Sequence, residues 1–89
     1  ELLSYSPFES VLSLGSGEVN MVQVQAPHLL VGRTVHDLVV PGEIQVVSIT
    51  RGSHTFIPTL GAIFQEGDML DIVVLSGSSQ RLRALLGLG

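Results

Sequence analysis

The 89-residue chain contains no cysteine, no tryptophan and no lysine. Without cysteine there is no disulfide, no thiolate nucleophile and no cysteine-ligated zinc. Its four cations, Arg33, Arg51, Arg81 and Arg83, stand against eight acidic residues, a formal net charge of -4. Four scattered arginines cannot neutralise a run of phosphates, so a basic nucleic-acid-binding face is excluded. No apolar stretch approaches the ~20 residues of a membrane span, so direct membrane insertion is not expected. The first residues, Glu1-Leu-Leu-Ser-Tyr5, lack a basic region ahead of an apolar run and so do not read as a secretory signal. They read as the middle of a longer chain, cut at a linker.

What is present is mostly apolar. Hydrophobic residues make up 45% of the chain and charged residues only 13%. A chain of this length forms one domain and hides only about 60–65% of its unfolded surface. So high an apolar content in so small a domain implies that part of that surface is given to a partner, most simply a second copy.

Local patterning predicts the elements. Ser6-Pro7-Phe8-Glu9 reads as a capped helix start, with a short helix over residues 7–14 ended by Gly15 and Gly17. Residues 1–17 are thus expected to be a linker with a short helix, and 18–89 the domain proper. Val22, Val24 and Ala26 alternate with Gln23 and Gln25, the pattern of a half-buried strand over 19–26. Thr34-Val-His-Asp37 reads as a capping box opening a brief helix, which Pro41 keeps short. Ile44 to Arg51 is a β-branched strand, and Gly52-Ser53 is a two-residue hairpin turn into a short strand, His54 to Ile57. Glu66-Gly67-Asp68 reads as a solvated turn before the most apolar strand, Met69 to Leu75. Ser78 is expected to cap a last helix with a stripe of Leu82, Leu85 and Leu86, stopped by Gly87. Strands outnumber helices and hairpins dominate. The expected fold is therefore α+β, a mostly antiparallel four-stranded sheet with a short crossover helix and a C-terminal helix. That last helix carries too few apolar side chains to cover a whole sheet.

Catalytic signatures are absent. Gly15-Ser-Gly17-Glu-Val-Asn20 starts like a dinucleotide fingerprint, but Asn20 stands where the third glycine belongs and a strand follows in place of a helix. His28, His36 and His54 have no second ligand at i, i+4 spacing, and with Asp37 and Glu43 nearby they make at best a loose metal site. Glu66, Asp68 and Asp71 cluster along the chain, as paired carboxylates for acid–base or divalent-ion chemistry would, yet their composition is that of a turn. No Gly-x-Ser-x-Gly elbow occurs and no nucleophile has an evident base, so the chain does not read as an enzyme.

Several short segments in fixed order carry a resemblance. They are Leu30-Val-Gly-Arg-Thr34 with Asp37-Leu38, Ile49-Thr-Arg-Gly52, Ile57-Pro-Thr59, and Gln65-Glu-Gly-Asp68 ahead of its strand. Together, over residues 18–87, they resemble the TrkA C-terminal domain family, the C-terminal lobe of regulator-of-potassium-conductance (RCK) proteins. The resemblance implies a cytoplasmic regulatory lobe of a potassium or other cation transport protein, held at the inner face of the membrane through its parent. Expected partners are a second copy of itself, and a Rossmann lobe or the membrane domain of a channel or transporter. A different reading is a structural dimerisation module of a permease, antiporter or transcription regulator, with no ligand of its own. Some family members bind cyclic di-AMP at the dimer interface through the segment after the short helix. Here that segment is Val39 to Gln45, which makes Val40 and Pro41 candidates for packing on a base and Gln45 a candidate to hydrogen-bond one. The segment departs from the cyclic di-AMP binders in having no arginine for phosphate and in carrying Glu43. The effector is therefore left open: the resemblance allows cyclic di-AMP or another nucleotide, no clear motif supports one, and a structural dimer contact is the first reading of these residues.

Overall fold

The computed structural model describes residues 9–88. Among them are five strands: β1 (Glu9–Leu14), β2 (Val19–Gln25), β3 (Ile44–Arg51), β4 (His54–Phe56) and β5 (Met69–Leu75). One α-helix, α1 (Ser79–Leu85), closes the chain, and short 3-10 turns lie at His28–Leu30, Val35–Leu38 and Ser76–Ser78. The strands form one sheet in the order β1-β2-β5-β3-β4, with every neighbouring pair antiparallel. The α+β class, the antiparallel sheet and the C-terminal helix are as the sequence implies.

The strand count is five, not four, because the expected helix over 7–14 is a strand where it is described. Residues 7 and 8 lie outside the described residues. From Glu9 the chain pairs with β2, with Leu12 opposite Met21 and Leu14 opposite Val19. A capping signal is worth about 1 kcal/mol, and a helix of two turns is marginal in water. The β2 edge offers a ladder of hydrogen bonds and an apolar neighbour for each leucine, and it outweighs the cap. Residues 9–14 are therefore the first strand of the sheet, not part of a helix.

Thr34 and Ser78 do not act as side-chain caps, and Ser6 lies outside the described residues. Thr34 precedes the 3-10 turn at Val35–Leu38 without a side-chain capping bond, and its carbonyl accepts the Asp37 N–H at 3.0 Å instead. Ser78 likewise makes no capping bond at α1, and its hydroxyl donates to Glu43 Oε1 at 2.9 Å. Both elements are too short to persist alone, so tertiary contacts hold them. Buried Val35 and Leu38 anchor the first, and buried Leu82 and Leu86 anchor the second.

A bulge in β3 sets which residues reach the core. Val46 pairs with Ile72 and Ser48 with Asp71, so Val47 is the extra residue. Before the bulge the even-numbered Ile44 and Val46 are buried, and after it the odd-numbered Ile49 is. Without that one-residue slip Ile49 would point to the opposite face. The tight turn at Gly52-Ser53 joins Arg51 to His54, and Gly52 takes φ +65°, a conformation open to glycine at little cost.

One face of the sheet is covered. Val22 and Val24 from β2, Leu70, Ile72 and Val74 from β5, and Ile44, Val46 and Ile49 from β3 make its floor. Leu30, Val35, Leu38, Phe64, Leu82 and Leu86 close over them. The helix alone does not suffice, as its sequence implies. The turns at 28–38 and the segment around Phe64 share the task. These two stretches run side by side, with Gly32 N–H to Phe64 O and Phe64 N–H to Arg33 O, both at 2.9 Å. Each fully buried Val, Leu or Ile contributes roughly 1.5–3 kcal/mol.

Candidate functional site: the open sheet face and its groove

Residues paired across an antiparallel sheet share a face, so the register spells out the uncovered side row by row. One row is Leu12, Met21, Val73 and Gln45, and the next is Leu14, Val19 and Leu75. Beyond them the character changes. Gln23, Asp71 and Ser48 form a third row, and Gln25, Met69, Thr50 and Thr55 a fourth. In the third row Asp71 accepts from Gln23 Nε2 at 3.1 Å and from Ser48 Oγ at 2.9 Å. The polar half is thus bonded within itself. The apolar half has no such internal satisfaction: Leu12 is 50% exposed, Leu14 42% and Leu75 37%.

A groove of about 280 Å³ opens at this apolar half, lined by Val19, Gly42, Glu43, Ile44, Gln45 and the end of β5 from Val73 to Leu75. Its rim is the tight turn at 40–44, where Ile44 N–H and Glu43 N–H both reach Val40 O, at 2.8 and 2.9 Å. Of the three residues singled out in the sequence, only Gln45 lines the groove. Val40 packs against the core, and Pro41 is exposed on the turn, outside the groove lining. The sequence reading missed Val19, Val73 and Leu75. A signal for the last two exists: β5 is apolar at both parities from Ile72 to Leu75, which a strand covered on one face does not require.

Glu43 is the one charged side chain in the lining, and it is held from behind. Its carboxylate accepts from Ser78 Oγ at 2.9 Å and lies 3.2 Å from Arg81 Nη1 on α1. The groove rim is therefore tied to the C-terminal helix. No arginine or histidine lines the groove.

The other polar residues noted in the sequence lie apart. Asp68 does not sit in a solvated turn: its side chain is fully buried. Arg51 Nε and Nη2 donate to its two oxygens, and Gln65 N–H donates to Oδ2 at 2.9 Å. The Arg51 hydrogen bonds hold the Asp68 carboxyl below its ordinary range, against the opposing effect of burial. Asp68 in turn raises the Arg51 guanidinium. Glu66 is exposed and lies 3.3 Å from His28 Nδ1. His54 stacks on Phe56 with ring centroids 5.7 Å apart, and His36 is exposed on its 3-10 turn. Among the described residues no group of three or more His, Asp or Glu could hold a metal ion.

Three of the motif segments lie close together. Leu30–Thr34 runs beside Phe64, Ile49–Gly52 ends β3, and Gln65–Asp68 delivers Asp68 to Arg51. The family model for the TrkA-C domain matches residues 21–87. The chain belongs to the TrkA-C domain family. No curated protein matches it. Among solved structures it is similar to an RCK domain described with "cda", at 17% identity and a TM-score of 0.59, over 73% of this chain and 94% of that one. It is also similar to the GsuK channel bound to NAD, at 16% identity and a TM-score of 0.66, over 81% of this chain. This TrkA-C domain spans 14% of that channel's chain. At such identities the likeness is one of fold. The TrkA-C model begins at Met21, within β2, so β1 stands ahead of the matched region while belonging to the same sheet.

Proposed function

We propose that this TrkA-C domain is a cytosolic regulatory and dimerisation lobe of a potassium or other cation transport protein, and that it senses a small effector. In this reading it is not an enzyme. Family membership supports the regulatory role. The observation that carries effector sensing is the groove beside the 40–45 turn, whose rim is linked through Glu43 to Ser78 and Arg81. At about 280 Å³ it falls just under the ~300–1,000 Å³ of ordinary ligand pockets. Ligand there would bear on α1 through Glu43, and any difference in affinity between two states of the parent would bias its gate. The two solved relatives are described with "cda" and with NAD, so nucleotides are the first effectors to test. The parent's Rossmann lobe or membrane domain is the natural partner, and attachment through it would place the domain at the inner face of the membrane. Among the described residues no helix is long and apolar enough to cross a membrane.

One observation favours a second reading, a structural dimerisation module of a permease, antiporter or regulator. The groove has an acidic rim residue and no cation, which is poor complementarity for a phosphate. Thermal unfolding of the domain with cyclic di-AMP, NAD, ATP or a divalent ion separates the two. A specific ligand at a hundredfold excess over its Kd stabilises by about 2.7 kcal/mol. A shift with one of them supports sensing. No shift with any of them leaves the structural module.

A further inference from the structure

We infer that Asn20 and Ser76 form a latch that ties the β1–β2 hairpin to α1, so that release of β1 loosens the helix. The latch goes beyond the regulatory reading above and stands whether or not the domain binds an effector. A polar residue on the covered face gives the first indication. On β2 that face takes Asn20, Val22 and Val24, followed by Ala26 just past the strand, and the last three are buried in the core. The register places Asn20 in the row Ser13, Asn20, Val74 and Ile44, whose last two members are also buried. Asparagine is depleted in strands, and here it stands where the pattern calls for a core side chain. Its amide accounts for it. Ser13 Oγ on β1 donates to Asn20 Oδ1 at 2.7 Å, Asn20 Nδ2 donates to Ser76 Oγ at 3.1 Å, and Ser76 Oγ donates to Gly17 O. Each group gives to the next, so the bonds polarise one another along one direction. Ser76 N–H also donates to Glu18 O at 2.9 Å. β1, β2 and the turn between them are thus fastened to one residue at the entrance to α1.

Both elements that the latch joins are weakly held. β1 is an edge strand with one neighbour and a bulge between Ser10 and Leu12, and its Val11, Leu12 and Leu14 are exposed. It can part from β2 without opening the core. α1 has seven residues, too few to persist alone, and it hangs from β5 by the 3-10 turn Ser76–Ser78 with exposed Gly77 at its middle. Ser79 N–H donates to Ser76 O, so a shift of Ser76 displaces the carbonyl on which the helix starts. Glu43 steadies the same junction from the other side, through Leu75 N–H at 3.0 Å and Ser78 Oγ at 2.9 Å. Elements with few buried contacts open well below the global unfolding free energy. Here two such elements share a hydrogen-bonded route, and opening of the first withdraws support from the second.

Amide hydrogen exchange of the whole chain tests the latch. Ser13→Ala, a change on β1, should quicken exchange at Ser79 and Leu86 of the helix region about two- to tenfold, the range that one hydrogen bond spans. In an Asn20→Ala background the same change should add nothing there, because the route is already cut. Gln23→Ala removes a different β2–β5 contact, the bond to Asp71, and should leave α1 unchanged. Faster exchange confined to β1 and β2 after Ser13→Ala overturns the latch, since the bonds then only close the hairpin turn. Additive effects in the double variant, or a quickened α1 in Gln23→Ala, overturn it as well. Should Asn20→Ala not fold, Asn20→Asp keeps the acceptor for Ser13 and loses the donor to Ser76. A helix that still responds to Ser13→Ala in that background overturns the inference equally. No arm uses an effector, so a domain that binds no ligand leaves this test intact.

Discussion

Arg51 holds Asp68 by both carboxylate oxygens, Nε to Oδ1 at 2.9 Å and Nη2 to Oδ2 at 2.8 Å. The same Nη2 also donates to Ile63 O at 3.0 Å, and the guanidinium carbon lies 5.1 Å from the centre of the Phe56 ring. One side chain thereby fastens the end of β3 to the loop that leads into β5. Asp68 is fully buried, whereas the Arg51 side chain keeps a third of its surface in water. The two partners are accordingly not equivalent.

Arg51→Ala should destabilise more than Asp68→Asn. Removing Arg51 strands a buried carboxylate, a change that costs about 3–5 kcal/mol. Removing the Asp68 charge leaves an arginine that already reaches water, and the loss should be smaller. Urea denaturation of both variants checks the order, and equal losses would show that burial of Asp68 does not set the cost.

Stability should fall in acid, and Asp68 should account for part of the fall. Its carboxyl is held below its ordinary range in the folded state. The stabilisation is therefore complete above the unfolded value of about 3.9 and is lost as pH drops through the lower folded value. Unfolding free energy should be level with respect to this group from pH 7 to about 5, then decline. In Asp68→Asn the decline should be shallower. An unchanged acid limb would assign it to other carboxylates.

Gly52→Ala should cost about 1–2 kcal/mol, because its φ of +65° lies in the left-handed region where a Cβ meets the following carbonyl. No neighbouring atom crowds the position, so the penalty is one of backbone conformation alone. Thermal unfolding measures it. A stabilised variant would mean that the reduced freedom of the unfolded chain outweighs the strain.

Glu43→Gln should loosen the helix without unfolding the domain. The residue is over a third exposed and its ion pair with Arg81 is at the surface, so the global loss should stay under about 1 kcal/mol. Hydrogen exchange in the first turn of α1 should quicken, since Ser78 and Arg81 both lean on that carboxylate. Unchanged exchange would detach the groove rim from the helix.

The strands with clean alternation and strong turn chemistry were legible from residue order. β3 and β5 match their expected limits at both ends, bounded by Pro41-Gly42, Gly52-Ser53 and Gly67-Asp68. β1 was not legible, because its local capping signal argues for a helix and only pairing with β2 argues for a strand. The bulge at Val47 was equally hidden, since Ile44 to Thr50 carries β-branched residues at both even and odd positions. At the candidate site, Gln45 could be chosen from its neighbours in sequence. Leu75 is marked only by the unbroken apolar run of β5, and its adjacency to Val19 is not marked at all, because 56 positions separate residues that the sheet makes neighbours. Asp68 looked like a turn residue for the same reason: its partner, Arg51, comes from another strand.

The sheet is finished by its last strand. β5 lies between β2 and β3, so the hairpins β1–β2 and β3–β4 share no ladder until β5 is inserted between them. During synthesis both hairpins emerge before the strand that unites them. Until residues near Leu75 clear the ribosome, each hairpin holds an unsatisfied inner edge, open to pairing with the wrong chain. For this small domain the hazard of misassembly is therefore concentrated at the moment before its C-terminal strand arrives.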